Sequence, residues 1–274
     1  MTAGQQGFRA SVERLRRHDD VLARAIQRTH DEALSEEEQR ALAAIERLRV
    51  NLAESTREVT GFDYGAGSPS ESRSRDVARQ GVWSTFAVGH DLTDRMSRRD
   101  PWTHLLFNLV RLKEPNRCLE LGTCIGLSAA YLCAGLEMNG RGLLVTLEGN
   151  EQLVPLAEKH LKKLGLSRFR IIAGRFEDTL EDVLCDFGPF DFVFNDGHHD
   201  GTAMLDYFLT TLPFLSPDAV LLFDDIRQYA SMRDGWQTIA GHEQVRIAVD
   251  FGPLGLCRLG NPEQPRCSVS IRLT

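Results

Sequence analysis

Between about residues 8 and 58 the apolar positions recur at helical spacing, with Leu42, Ile45, Leu48 and Leu52 on one stripe. That period predicts helices with one buried face. A start signal sits ahead of the stripe: Ser35 is followed three residues later by Glu38, the pattern of a capping box. Residues 61–75, GFDYGAGSPSESRSR, interrupt the pattern with Gly, Ser and Pro and predict a loop. Two roles fit that loop, a plain linker or a mobile lid in which Gly65 and Gly67 allow close backbone approach. Helical spacing returns from about residue 76 to 112.

Beyond that point short apolar runs alternate with helical segments. Strands are expected at 117–121, 142–147, 169–173, 190–194 and 219–223, with helices at 127–136, 151–164 and 203–215 between them. Segments 244–249 and 256–259 flank FGPLG and read as a closing hairpin. The alternation predicts the α/β class, a Rossmann-like doubly wound sheet of seven strands behind an N-terminal helical extension. We divide the chain into residues 1–95, the extension with its possible lid, and 96–274, the α/β domain. An extension with an apolar stripe needs a surface to cover it, so a homodimer is expected.

Composition narrows the class. The 274 residues are 42% hydrophobic and 26% charged, ordinary for a globular protein. No apolar run approaches the roughly 18 residues that span a bilayer, and the first twenty residues are too polar for a secretory signal. A cytoplasmic protein with no membrane partner is therefore expected. The formal charge of −7 argues against a nucleic-acid surface. Arg14, Arg16 and Arg17 alternate with acids and read as a solvated helix face. The six cysteines, at 118, 124, 133, 185, 257 and 267, form no CxxC pair. Buried thiols are expected rather than disulfides or a zinc site.

The most informative stretch is ELGTCIGLS, residues 120–128. A glycine turn between strand and helix lets a ligand lie against the backbone at the carboxyl edge of the sheet. Gly122 and Gly126 stand four apart, so this is not GxGxxG. Glu120 would repel a pyrophosphate but suits the cationic amino group of a methionine moiety. The turn thus favours S-adenosylmethionine (SAM) over NAD. Glu148 ends the next strand, where an acid accepts hydrogen bonds from ribose hydroxyls. Arg175 and Phe176 follow the third strand, where an adenine would lie, with Glu177 or Asp178 near its edge. Thr123 and Ser128 are plausible neighbours of the same ligand.

A second constellation ends strands four and five: Asp196, Gly197, His198 and His199 on one, Asp224 and Asp225 on the other. Adjacent parallel strands deliver these to one edge. Three converging carboxylates repel, and a hard divalent cation, Mg²⁺ as the best guess, is the usual remedy. A hydroxyl bound to such an ion would lose its proton to His199, or to His198. Blander roles also fit. Asp225 could cap the following helix, the histidines could only shape the pocket, and Tyr229, Met232 and Trp236 could line an acceptor site or the core.

ELGTCIG, LEGN and the pair FNDGHH and LLFDDI together resemble class I SAM-dependent methyltransferases over residues 100–260. The resemblance implies that Glu120 and Gly122 hold the methionine end and Glu148 the ribose. It is closest in pattern to the metal-dependent branch like catechol O-methyltransferase, and to the branch that methylates antibiotic sugars. There it implies Asp196, Asp224 and Asp225 as metal ligands. The chain departs from the catechol branch three residues beyond the first Asp, where a lysine is common and His199 stands here. The expected activity is methylation of a hydroxyl on a small natural-product or sugar-like acceptor. A metal-independent N- or C-methyltransferase and a non-catalytic SAM-binding protein are the alternatives.

Overall fold

The computed structural model describes residues 3–65, 67–68 and 71–273. Strands β5 (Arg117–Leu121), β6 (Leu143–Glu148), β7 (Phe169–Ala173), β8 (Phe190–Asn195) and β9 (Leu215–Phe223) run parallel. Their near-continuous apolar composition is what a strand needs when helices cover both faces. The covering helices are α6 (Leu127–Asn139), α7 (Val154–Lys163), α8 (Phe176–Phe187) and α9 (Gly201–Thr211), with α10 (Ala230–Gly241) leading to the last strands. β10 (Val245–Asp250) and β11 (Gly255–Leu259) form the expected antiparallel hairpin.

The sheet has eight strands, one more than expected, in the order β12-β10-β11-β9-β8-β5-β6-β7. The extra strand, β12 (Cys267–Ser270), pairs in parallel with β10. It is four residues long and buried on one face only, too short for a period of two to show in sequence. Strand order reverses at β5, which has β6 on one side and β8 on the other. Ligand crevices of open α/β sheets lie beyond the carboxyl ends at such a point.

The extension opens with three helices, α1 (Ala3–Arg16), α2 (Asp20–His30) and α3 (Glu36–Ala53). Two expectations for the segments after them fail. The loop 61–75 opens inside a strand, β1 (Glu58–Asp63), and the helical stretch from 76 contains another, β4 (Val82–Ala87), antiparallel to β1. Between them lie the two-residue strands β2 (Gly67–Ser68) and β3 (Glu71–Ser72) and the short helix α4 (Arg75–Gln80). Residues 66, 69 and 70 of the anticipated loop lie outside the described residues. The sequences EVTGFD and VWSTFA are β-branched and aromatic; at six residues each they are easily taken for helix edges. A π-helix (Val88–Arg95) and α5 (Trp102–Lys113) complete the run.

The apolar stripe of α3 finds its cover within the same chain. Leu42, Ile45 and Leu48 are buried and Leu52 partly so, against α6 and the π-helix, while α2 packs on α5 and α1 on β12. The stripe therefore does not require a second subunit. Among the described residues no helix is long and apolar enough to cross a membrane.

The capping box forms as expected: Glu38 N–H donates to Ser35 Oγ (3.3 Å) and Ser35 N–H to Glu38 Oε2 (2.9 Å). Glu38 does more than cap. Its buried carboxylate also accepts from Arg28 on α2 and from Arg111 Nε on α5 (3.0 Å). Burial pushes its pKa up, but the Ser35 N–H and the two guanidiniums outweigh that and hold it below 4.5. A depressed pKa stabilises the fold above the ordinary value, and that contribution is lost as pH falls through the folded value. Glu38→Gln should therefore lower stability by about 3 kcal/mol near neutral pH, since two part-buried cations lose their buried partner. Urea unfolding should show the deficit shrinking as pH falls below the ordinary carboxylate value of 4.5; a deficit independent of pH would mean the charge is not what matters.

Candidate active site

The cleft begins at the end of β5. Leu121, Leu147 and Asn195 are register partners across β6, β5 and β8, and Asn195 is paired with Phe223 on β9. The residues immediately beyond these strands therefore emerge at one edge. The glycine turn is tied to the sheet by Gly122 N–H and Thr123 N–H, both donating to Leu147 C=O (3.0 and 3.1 Å). Gly122 has φ +104°, and a Cβ there would lie 2.7 Å from the Asp196 carbonyl oxygen. Only glycine lets the two strand ends pass this closely. Gly126 has φ +84° and packs against Ala157 of α7. His160 Nδ1, 2.9 Å from Ile125 C=O, ties that helix to the turn.

Glu120 does not face the cleft. It is fully buried beneath the turn, where Oε2 accepts from Thr146 Oγ1 (2.7 Å), and Thr146 pairs with the Thr123 hydroxyl (2.5 Å). Burial pushes its pKa up to about 7 against the pull of hydrogen bonds from Thr146 and Ser128. Its Oε1 has no hydrogen-bond partner in the described structure. Glu120, Thr123, Gly126 and Ser128 thus form the support of the turn, while Gly122, Glu148, Arg175, Phe176 and Asp196 line the cleft itself.

The cleft has a volume of about 620 Å³, inside the range of roughly 300–1,000 Å³ usual for small-molecule sites. Glu148 stands on its wall with Oε2 accepting from Cys124 N–H (2.6 Å) and Oε1 from Asn150 N–H (2.8 Å). Burial raises its pKa. Asn150 Nδ2, also on the wall, is buried without a partner. An acceptor pair and an unsatisfied amide donor at a glycine turn suit a polar ligand such as a nucleoside. Phe176 lies over Gly197, whose Cβ would come within 2.4 Å of the ring, and meets Tyr207 edge-on. Arg175 is engaged by Asp178 (2.6 and 2.8 Å) and by the Arg79 carbonyl. Trp236 and Met232 are core residues off the cleft.

The opposite wall comes from the extension, which sequence reasoning left out of the site apart from the possible lid. Phe62, Tyr64, Arg73 and Phe86 line the cleft, and Tyr64 packs so closely on Gly149 that a Cβ there would sit 2.7 Å from its ring. Arg73 NH1 donates to Asp63 Oδ2 (2.6 Å). No spacing rule links these positions to the glycine turn.

The second constellation converges as expected, but around an arginine. Arg98, between the π-helix and α5, donates from Nε to both Asp224 oxygens (2.9 and 2.7 Å) and from NH2 to Asp225 Oδ1. His199 sits between acids, Nδ1 3.5 Å from Asp225 Oδ2 and Nε2 3.9 Å from Asp196 Oδ1. His198 lies deeper, with Nδ1 3.1 Å from the Tyr207 hydroxyl. Burial, then the neighbouring aspartates, raise the pKa of Asp196; burial and Asp224 raise that of Asp225. Asp225 does not cap a helix with its side chain. Cys124, His198, His199 and Asp225 all have positive φ (+50°, +69°, +37°, +52°), an unfavourable backbone state that concentrates at functional sites.

The expected Mg²⁺ site does not fit this arrangement. Both oxygens of Asp224 and Oδ1 of Asp225, three of those that would ligate the ion, already accept from Arg98. Among the described residues no group of three acids, histidines or cysteines is placed to hold a metal. The three aspartates do share one spot; what the sequence concealed is a guanidinium 126 residues from Asp224 in the chain.

Residues 119–226 match the family model of a methyltransferase domain. Among solved structures, the chain is similar to an S-adenosylhomocysteine (SAH)-bound methyltransferase of Podospora anserina, at 22% identity over 62% of this chain and 82% of that one, TM-score 0.53. It is similar too to the O-methyltransferase from Bacillus cereus in complex with SAH, at 22% identity over 61% of this chain and 84% of that one, TM-score 0.53. A protein-L-isoaspartate O-methyltransferase of Fervidobacterium nodosum is 32% identical over 87 residues, 32% of this chain and 41% of that protein. The chain spans about two fifths of the length of the curated relatives it matches.

Glu120 offers a test of the support beneath the turn. A carboxyl held at about 7 stabilises the fold fully below its ordinary value of 4.5, and that contribution is lost as pH rises through about 7. The neutral isostere Glu120→Gln should flatten the fall in stability across this window, by at most roughly 3 kcal/mol. Equal slopes in the two proteins, measured by urea unfolding without ligand, would show that Glu120 is not the titrating group.

Proposed function

Proceeding from a methyltransferase domain of the class I fold, we propose that this chain is a SAM-dependent methyltransferase acting on a hydroxyl of a small-molecule acceptor. One observation carries the proposal: the glycine turn, the Glu148 carboxylate and the His199–aspartate cluster share a single cleft at the strand-order reversal. When bound, SAM supplies a methyl group on a sulfonium, already activated for transfer.

Each wall has a task. Glu148 accepts hydrogen bonds from ribose hydroxyls through its remaining lone pairs, and Asn150 Nδ2 donates to the same ligand. Gly122 lets the ligand approach the backbone beside Asp196. Phe176 and Tyr64 give apolar surface to a flat ring. The acceptor enters between the extension wall and the aspartate cluster. There His199 takes the hydroxyl proton on a ring nitrogen, since an imidazole is the side chain suited to proton transfer near neutral pH. Asp196 and Asp225 flank that imidazole and orient it. Positioning accounts for most of the expected rate. We assign no step to Mg²⁺, because Arg98 already engages both oxygens of Asp224 and one of Asp225.

Calorimetric titration with SAM and SAH, followed by a methyl-release assay on hydroxylated metabolites, tests the proposal. Glu148→Gln should weaken SAM binding by about tenfold or more, the value of a hydrogen bond to a charged group. His199→Gln should lower kcat by about 10²-fold or more with SAM affinity retained. Absence of SAM binding in the intact chain would overturn the cofactor assignment, and an unchanged kcat in His199→Gln the base.

A further inference from the structure

Three carboxylates meet at the floor of the cleft, and Arg98 donates hydrogen bonds to two of them, Asp224 and Asp225. Asp224 is 4% exposed, and a buried carboxylate group needs hydrogen-bond partners. Arg98 engages it through both oxygens, with NH2 a further 2.6 Å from Oδ1, and the same NH2 reaches Asp225 Oδ1. The other Asp225 oxygen faces His199, as does Asp196. We propose that Arg98 is the built-in counter-cation of Asp196, Asp224 and Asp225, standing where a divalent ion would otherwise stand, so that the cluster is assembled without metal. This inference rests on reading the cleft as a methyltransferase site.

The chemistry favours a guanidinium in that role. It stays charged at any working pH, and its planar fork spans two carboxylates with directed donors. A hard cation such as Mg²⁺ or Mn²⁺ needs carboxylate oxygens as its ligands. The two occupants therefore compete for the same lone pairs.

The segment bearing Arg98 is fixed on both sides. Ser97 Oγ donates to Leu92 C=O (2.6 Å), Arg99 NH2 to Asp94 Oδ1 (2.6 Å) and Thr103 Oγ1 to Asp100 Oδ1 (2.6 Å). The arginine is thus delivered by the structured segment between the π-helix and α5. On the other side, Asp225 meets it through Oδ1 and faces His199 through Oδ2, and both Asp225 and His199 have positive φ. Arg98 is accordingly a positioning residue: it holds the aspartates that orient His199.

Titration of the intact, ligand-free chain with Mn²⁺, followed by electron paramagnetic resonance of the free ion, reads this competition without needing turnover. Arg98→Ala should bind Mn²⁺ about tenfold or more tighter than wild type, because three carboxylates lose their cation. Adding Asp224→Asn to that variant should abolish the gain. Arg98→Gln, which keeps the bulk and some hydrogen bonding, gives the same readout should Arg98→Ala fold poorly. Equal Mn²⁺ affinity with and without the arginine, whether tight or undetectable, overturns the proposal. SAM titration of the same samples is a separate measurement, so a failed cofactor assignment and a failed arginine role are told apart.

Discussion

Four parallel strands, β6, β5, β8 and β9, end in step, and the cleft exists because of it. Ladder hydrogen bonds place Leu147, Leu121, Asn195 and Phe223 in one row. The next residue in each case lines the cleft: Glu148, Gly122, Asp196 and Asp224. The backbone groups past the row are also paired. Asp196 N–H donates to Leu121 C=O and Asp224 N–H to Asn195 C=O, at 3.0 and 2.9 Å. A slip of one residue in any strand would turn its terminal carboxylate to the other face of the sheet.

Close approach of these strand ends brings strain. Gly122 absorbs it at the tightest point, against the Asp196 carbonyl. Cys124, His198, His199 and Asp225 absorb the rest in left-handed backbone conformations that non-glycine residues seldom adopt. Such residues persist only where surrounding structure over-determines them. Here the determinants are the ladder below, the packing of Phe176 on Gly197, and the aspartate–arginine cluster above.

Burial then decides which acids reach the cleft and which support it. Glu120 stands one residue before the end of β5 and Glu148 ends β6. Glu120 shares the face of Thr146 and is sealed beneath the glycine turn. Glu148 reaches the cleft wall, bridged to the turn through Cys124 N–H. The extension closes the opposite side with β1, beside the segment that follows it and carries Arg98. It belongs to the site as much as to the packing, because a cleft with acids on its floor needs both an apolar wall and a cation.

Periodicity by itself determined the α/β class, the parallel strands, the C-terminal hairpin and the helix cap at Ser35, because each rests on contacts within a few residues or on an apolar run that only a doubly covered strand requires. The same local logic placed Gly122, Glu148, Asp196, His199, Asp224 and Asp225 at one edge, since strand ends are visible as the close of an apolar run. Tertiary structure alone decided the rest. β1, β4 and β12 are six residues or fewer, and short strands declare themselves only through a partner. Glu120's retreat from the cleft depends on which face Thr146 occupies. The pairing of Arg98 with Asp224 joins residues 126 apart in the chain; nothing local marks an arginine for a distant carboxylate until folding brings the opposite charges together.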